Sequence, residues 1–140
     1  MKRDLKLREE RDRELVRIYK EQLVFHFQHD EKLLRANVIK DVIKNGKPRY
    51  HVCFEYALRV LSLIKRNGDV PARMSIRRMM WYEILGHVDG LMQHHENYSL
   101  SDALAIVLRE RRASQFFITT KYANKIIYEA LHYNRLNRCA

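Results

Sequence analysis

The side chains with most chemical capacity in this 140-residue sequence are seven histidines and two cysteines. His26, His29 and Asp30 sit close together, as do His94, His95 and Glu96, and either group offers the nitrogen and oxygen donors that a borderline metal such as zinc accepts. Neither has a metal-ligand spacing. Both fall near expected helix ends, where histidine is ordinarily a solvated or capping group, so no metal and no cofactor is expected. Cys53 lies at an expected helix start, which lowers a thiol pKa, with His51 the nearest base in sequence. Its counterpart in the internal repeat described below is Thr119, which points to a capping or small buried role. Glycine-rich phosphate loops and GxSxG elbows are absent, and the chain is read as a non-enzyme.

A second set of residues has the chemistry of recognition. Lys121, Asn124, Lys125, Tyr128 and His132 recur at helical spacing and form a polar, donor-rich face of the kind that a DNA major groove accepts. Thr120 opens the same helix. Arg109, Arg111 and Arg112 precede it, and Lys40, Lys44, Lys47 and Arg49 hold the equivalent place before an earlier helix. Helix C-termini favour Lys and Arg because of the macrodipole, but recurrence at equivalent places points to phosphate contact. Twenty-seven Lys and Arg against seventeen Asp and Glu give a formal charge of +10, which welcomes an anionic partner. Tyr50, Phe54, Tyr56, Phe116, Phe117 and Tyr122 could stack on unpaired bases. Their matched repeat positions favour core packing instead.

The elements that must position these residues are helices. A 46% hydrophobic content suits a folded chain, and four glycines and two prolines leave few breaks, so the expected class is all-α. Adding 66 to the numbering lays Arg49–Leu61 on Gln115–Ile127, with Tyr56 and Ala57 matching Tyr122 and Ala123 identically. The same offset pairs Leu34, Val38 and Val42 with Leu100, Leu104 and Leu108, and Leu15, Ile18 and Tyr19 with Trp81, Ile84 and Leu85. These are the stripes of buried helix faces. Two tandem three-helix units are therefore expected, over residues 1–68 and 73–140, joined by Asp69-Val70-Pro71-Ala72.

Within the first unit the pattern predicts helices over about 3–27, from Asp30 to about Lys44, and from Cys53 or Phe54 to Asn67-Gly68. In the second it predicts Ile76 to about Gln93 behind Ser75, a helix behind Ser99-Leu100-Ser101-Asp102 reaching about Arg112, and one capped by Thr119 or Thr120 ending near Tyr133.

The supporting helix, the second helix with its inward stripe, the connector and the Thr-capped third helix resemble a trihelical helix-turn-helix domain. The run SLSDALAIVLRERRASQFFITTKYANKIIYEAL carries that resemblance, which extends generically to small basic accessory proteins of bacterial phages and mobile elements. It implies that Ser101 to Arg112 is a positioning helix and Thr120 to Tyr133 a recognition helix, with Asn124 and Lys125 facing base edges and Arg109, Arg111 and Arg112 meeting phosphates. The connector from Ala113 to Thr119 departs from the family's short turn. Double-stranded DNA is the expected partner. The other reading is a helical interaction or assembly module that binds a protein, or itself, through a surface around Leu58 and Leu63. No run of eighteen apolar residues and no apolar leader is present, so no membrane association is expected and the expected location is the cytoplasm.

Overall fold

The computed structural model describes residues 2–28, 35–70 and 75–133, with side chains for 5–25, 36–70 and 75–132. These form six helices: α1 (Lys2–Gln28), α2 (Arg35–Asn45), α3 (Phe54–Asn67), α4 (Ser75–His94), α5 (Leu100–Glu110) and α6 (Thr120–Tyr133). No strand forms among the described residues. An isolated antiparallel bridge joins Arg49 to Arg112.

The helix ends follow local chemistry. The Ser99 hydroxyl accepts the Asp102 N–H at 3.1 Å and the Asp102 carboxylate accepts the Ser99 N–H at 3.2 Å, a reciprocal capping box that starts α5. Thr119 starts α6 in a similar way, its Oγ1 accepting the Tyr122 N–H at 3.1 Å. At the end of α3, Gly68 adopts φ +77° and its N–H closes on the Ile64 carbonyl, a left-handed cap that side chains disfavour. Cys53, expected as a cap, is extended and its side chain caps nothing; the thiol instead donates to Glu55 at 3.7 Å. α5 stops at Glu110, two residues short of expectation, because Arg111 turns extended with φ −91° and ψ 144°. Asp30 and the segment 71–74 lie outside the described residues.

The helices group into two compact units that are not the consecutive blocks 1–68 and 73–140. Residues 1–48 and 114–140 form one, and residues 49–113 form the other. In the first, α1 packs on α2, and α6 packs on both. Its core joins Leu15, Val16 and Tyr19 of α1, Val38, Ile39, Val42 and Ile43 of α2, and Ala123, Ile126, Ile127 and Ala130 of α6, with Phe116 and Ile118 from the connector before α6. In the second, α3 and α5 pack on each other and on α4. Ala57, Val60, Leu61, Ile64, Met80, Trp81, Ile84, Val88, Ala103, Leu104 and Val107 are buried there.

The physical reason lies in the connectors. A helix-turn-helix reading needs a tight turn, but Gly46–Cys53 contains no helix, and eight extended residues can span about 25 Å. The segment 111–119 is likewise non-helical, and it tucks Phe116 and Ile118 into the core. α3 and α6 carry the same inward stripe, so periodicity dictates that such a helix docks without dictating which pair of helices receives it.

The unit formed by residues 1–48 and 114–140 also explains a glycine. A Cβ on Gly46 would lie 2.5 Å from Cε2 of Phe116 and 2.5 Å from the Val42 carbonyl oxygen, so the end of α2 and the connector before α6 meet at a point where no side chain fits. The Phe116 N–H reaches the Ile43 carbonyl at 2.8 Å in the same place. On the solvated face of α1, Arg13–Glu9 at 3.8 Å and Arg17–Glu21 at 2.9 Å are i, i+4 pairs, worth a few tenths of a kcal/mol each at such exposure.

Candidate nucleic-acid interface

α6 buries Ala123, Ile126, Ile127 and Ala130. The complementary positions Lys121, Asn124, Lys125, Tyr128 and His132 are exposed along one face, as the i, i+3, i+4, i+7 and i+11 spacing requires. Thr120 is exposed at its start. Lys121, Asn124 and Lys125 make no side-chain hydrogen bond or ion pair with another described residue. Tyr128 and His132 lean on each other with ring centroids 4.1 Å apart, which stiffens the far end of the face. Beside it, the Arg11 guanidinium lies 5.4 Å from the centre of the half-exposed Tyr122 ring, a cation–π contact linking α1 to α6. Asp12 holds that guanidinium at 3.0 Å.

The helix that supports α6 is α2. Between them lies an open recess of about 290 Å³, lined by Ala36, Ile39, Thr120, Lys121 and Asn124. Two apolar side chains from α2 thus stand beside three polar ones from α6. Ala36 and Ile39 carried no signal in the sequence, because their role depends on α2 being the neighbour of α6. The positioning role that the resemblance implies for Ser101 to Arg112 does not hold within this unit: α5 belongs to the other one. Lys44 and Lys47, exposed just before that stretch of the unit ends at Pro48, are in the same unit as α6. Lys47 sits at φ +47°, a left-handed conformation uncommon for a residue with a side chain.

The remaining basic candidates come together in the other unit. Arg49 and Arg112 pair across the antiparallel bridge, and the Arg49 guanidinium donates to the Arg109 carbonyl at 3.1 Å. Arg109 also contacts Glu110 at 3.0 Å, and Arg111 is exposed beside them. Four arginines from two distant stretches of sequence therefore gather around one short bridge. Behind it, Tyr50 is buried, edge-on to His87 at 6.4 Å. Burial first, and the carboxylate of Glu83 second, push its phenol well above the ordinary tyrosine pKa.

Other candidates resolve differently. Leu58 and Leu63 are half-buried, so they do not form the exposed apolar surface expected for a protein partner. Among the described residues of that unit, the exposed large apolar side chains are Tyr56, Met79 and Tyr82. Tyr82 donates to Asp69 at 3.0 Å, alongside Arg78 at 2.8 Å and the Val70 N–H at 2.7 Å, so one carboxylate oxygen ties the end of the α3 loop to α4. Tyr56 meets the buried Trp81 edge-on at 5.9 Å, and Arg77 lies over Trp81 at 5.8 Å. His95 stacks on Tyr98 at 4.6 Å. Among the described residues no three of His, Cys, Asp and Glu converge as a metal-binding group, and no helix is long and apolar enough to cross a membrane. The His26 side chain, His29 and Asp30 lie outside the described residues. No family model matches the chain, and no match is found among curated proteins or solved structures.

Proposed function

We propose that this chain binds duplex DNA through the exposed face of α6, seated on α2 and α1, in a non-catalytic regulatory or accessory role. The observation that carries the proposal is the set Lys121, Asn124 and Lys125. They are exposed on successive turns of one helix whose opposite face is buried, and they are engaged with no other described side chain. Two ammonium groups flanking a free amide supply phosphate attraction and a base-edge reader in one stripe. In this reading Lys44, Lys47, Thr120 and Tyr128 lie in the same compact unit and serve as further contacts. Arg49, Arg109, Arg111 and Arg112 form a separate phosphate-binding patch in the other.

The reading includes an internal duplication. Positions 15, 16, 19, 38, 39 and 42 are buried, and so are 80, 81, 84, 103, 104 and 107, each 65 residues on. Positions 57, 60, 61 and 64 are buried, and so are 123, 126, 127 and 130, each 66 residues on. One extra residue in the second connector accounts for the change of offset. This supports two copies of a three-helix sequence whose third helices are exchanged, so that each completes the other copy's pair.

The test is fluorescence anisotropy with a random duplex of about 25 base pairs across a salt series. Each phosphate neutralised contributes roughly 0.9 to the slope of log K against log salt. Replacing Lys121 and Lys125 by alanine should therefore flatten it by about 2, with the helical content unchanged by circular dichroism. Absence of binding at low salt, or an unchanged slope in the double variant, rejects the assignment.

A further inference from the structure

The recess between α2 and α6 gives the α6 face a chemical preference. We infer that it reads an A·T step, with the Asn124 amide on the adenine edge and the thymine 5-methyl group entering the apolar side of the recess formed by Ala36 and Ile39. The inference rests on the duplex-binding reading above and adds to it the base that is recognised.

Asn124 is exposed and its amide is unengaged among the described residues, so it has a donor and an acceptor to offer. In the major groove, only adenine presents a matching acceptor and donor side by side, at N7 and N6, and a planar amide meets them with two hydrogen bonds. Thymine carries the only methyl group on that edge of the base pair. A reader of A·T therefore needs an apolar surface within one base of the amide. Asn124 and the side chains of Ala36 and Ile39 line the same recess of about 290 Å³, so amide and apolar wall adjoin. Lys121 lines that recess too, with Lys125 one turn along the exposed face, and the charge of both favours a polyanion over a neutral ligand. Ile39 is nearly fully buried and held by the core, whereas Ala36 is exposed, so the recess can be filled from the α2 side without disturbing the fold.

Anisotropy at fixed low salt with four duplexes tests this: an alternating A·T block, the same block with deoxyuridine for thymidine, the same with 7-deazaadenine for adenine, and a G·C block, in identical flanks. A·T should bind about tenfold more tightly than G·C, since a bidentate pair discriminates by that order. Loss of the methyl should cost about threefold to fourfold, and loss of N7 should remove the part of the preference that the methyl does not supply. Asn124→Ala should bind A·T and 7-deazaadenine duplexes equally while keeping salt-steep binding. Ala36→Gln, which fills the recess and suits a helix, should lose only the distinction between thymine and uracil. Equal binding of A·T and G·C by the wild type, or an Asn124→Ala variant that still distinguishes adenine from 7-deazaadenine, overturns the inference and leaves duplex binding standing. Failure to bind any duplex overturns the duplex reading and this inference with it.

Discussion

Replacing Gly46 by alanine tests the grouping of helices at one atom. The added methyl carbon would stand 2.5 Å from both Phe116 Cε2 and the Val42 carbonyl oxygen, whereas ordinary contact begins at 3.4 Å. Neither neighbour can withdraw cheaply. Phe116 is 1% exposed, within the packed core of its unit, and the Val42 carbonyl already accepts the Gly46 N–H at 2.9 Å. Overpacking of this kind costs about 1–3 kcal/mol. Restricting the unfolded chain returns about 0.4–1 kcal/mol, which from the middle of the overpacking range leaves a net destabilisation of about 1–2 kcal/mol.

The informative measurement is a double-mutant cycle with Phe116→Leu, followed by urea unfolding in far-UV circular dichroism at constant m. Shortening the ring should relieve the clash. The double variant should therefore be more stable than the sum of the single effects predicts by about 1 kcal/mol. If α2 packed instead with α3, as consecutive units require, residues 46 and 116 would lie in different cores and the effects would add. Additivity, or a Gly46→Ala variant within about 0.5 kcal/mol of wild type, refutes the exchanged arrangement.

Other expectations follow from single residues. Gly68→Ala should destabilise by about 1 kcal/mol, because φ +77° penalises a Cβ; an unchanged urea midpoint would contradict the cap. Lys47→Gly should raise stability slightly by relieving φ +47° while flattening the salt dependence of DNA binding by about one phosphate, and a variant that is less stable would show that the strain is absent. The Asp69 carboxyl, held low by the Val70 N–H first and the Tyr82 hydroxyl second, should titrate below 3.8 when followed by carbon-13 chemical shift. Because its folded pKa is depressed, its contribution to stability is present above pH 3.8 and is lost as pH falls through the folded value, a dependence that Asp69→Asn should remove. Tyr50 has the opposite sign. Its folded pKa is raised, so the unfolded chain ionises first, and stability is full below pH 10 and declines above it. Tyr50→Phe should fall less steeply in that range than wild type, and parallel curves would show that the phenol is not held neutral.

All six helices were legible in the sequence because each has a local cause: the Ser99–Asp102 box, the Gly68 cap, and the stripes of α3 and α6. The α6 face was legible for the same reason, since exposure of Lys121, Asn124, Lys125 and Tyr128 follows from burial of Ala123, Ile126 and Ile127 on a regular helix. Helix partnership was not, because it depends on where extended connectors lead and not on the pattern within any element. The gathering of Arg49 with Arg109 and Arg112 was only half visible: basic runs stood at equivalent places in the repeat, but a backbone bridge between them leaves no mark in composition. In α5 the inward register departs by one residue from the leucine stripe: Ala103, Leu104 and Val107 face inward instead of Leu100, Leu104 and Leu108. Two leucines half out of the core and an alanine and a valine within it defeat a reading based on side-chain size alone.

The chain order within the two units bears on how the protein is made. α1 and α2 leave the ribosome with Leu15, Tyr19, Val38 and Val42 uncovered, and the helix that covers them follows some 65 residues later, behind the whole of the second unit. At ordinary elongation rates that is an interval of roughly 3–13 s. The inserted unit is contiguous and can fold as soon as it emerges. Closing a flexible loop of its length would cost about 4 kcal/mol from the logarithmic term alone. Its own fold removes much of that cost, because the Arg49–Arg112 bridge holds its two ends side by side. Residues 48 and 114 are then delivered as neighbours, and α6 needs only a local search to find α1 and α2. A substitution that loosens this bridge should therefore slow folding of the unit to which neither arginine belongs.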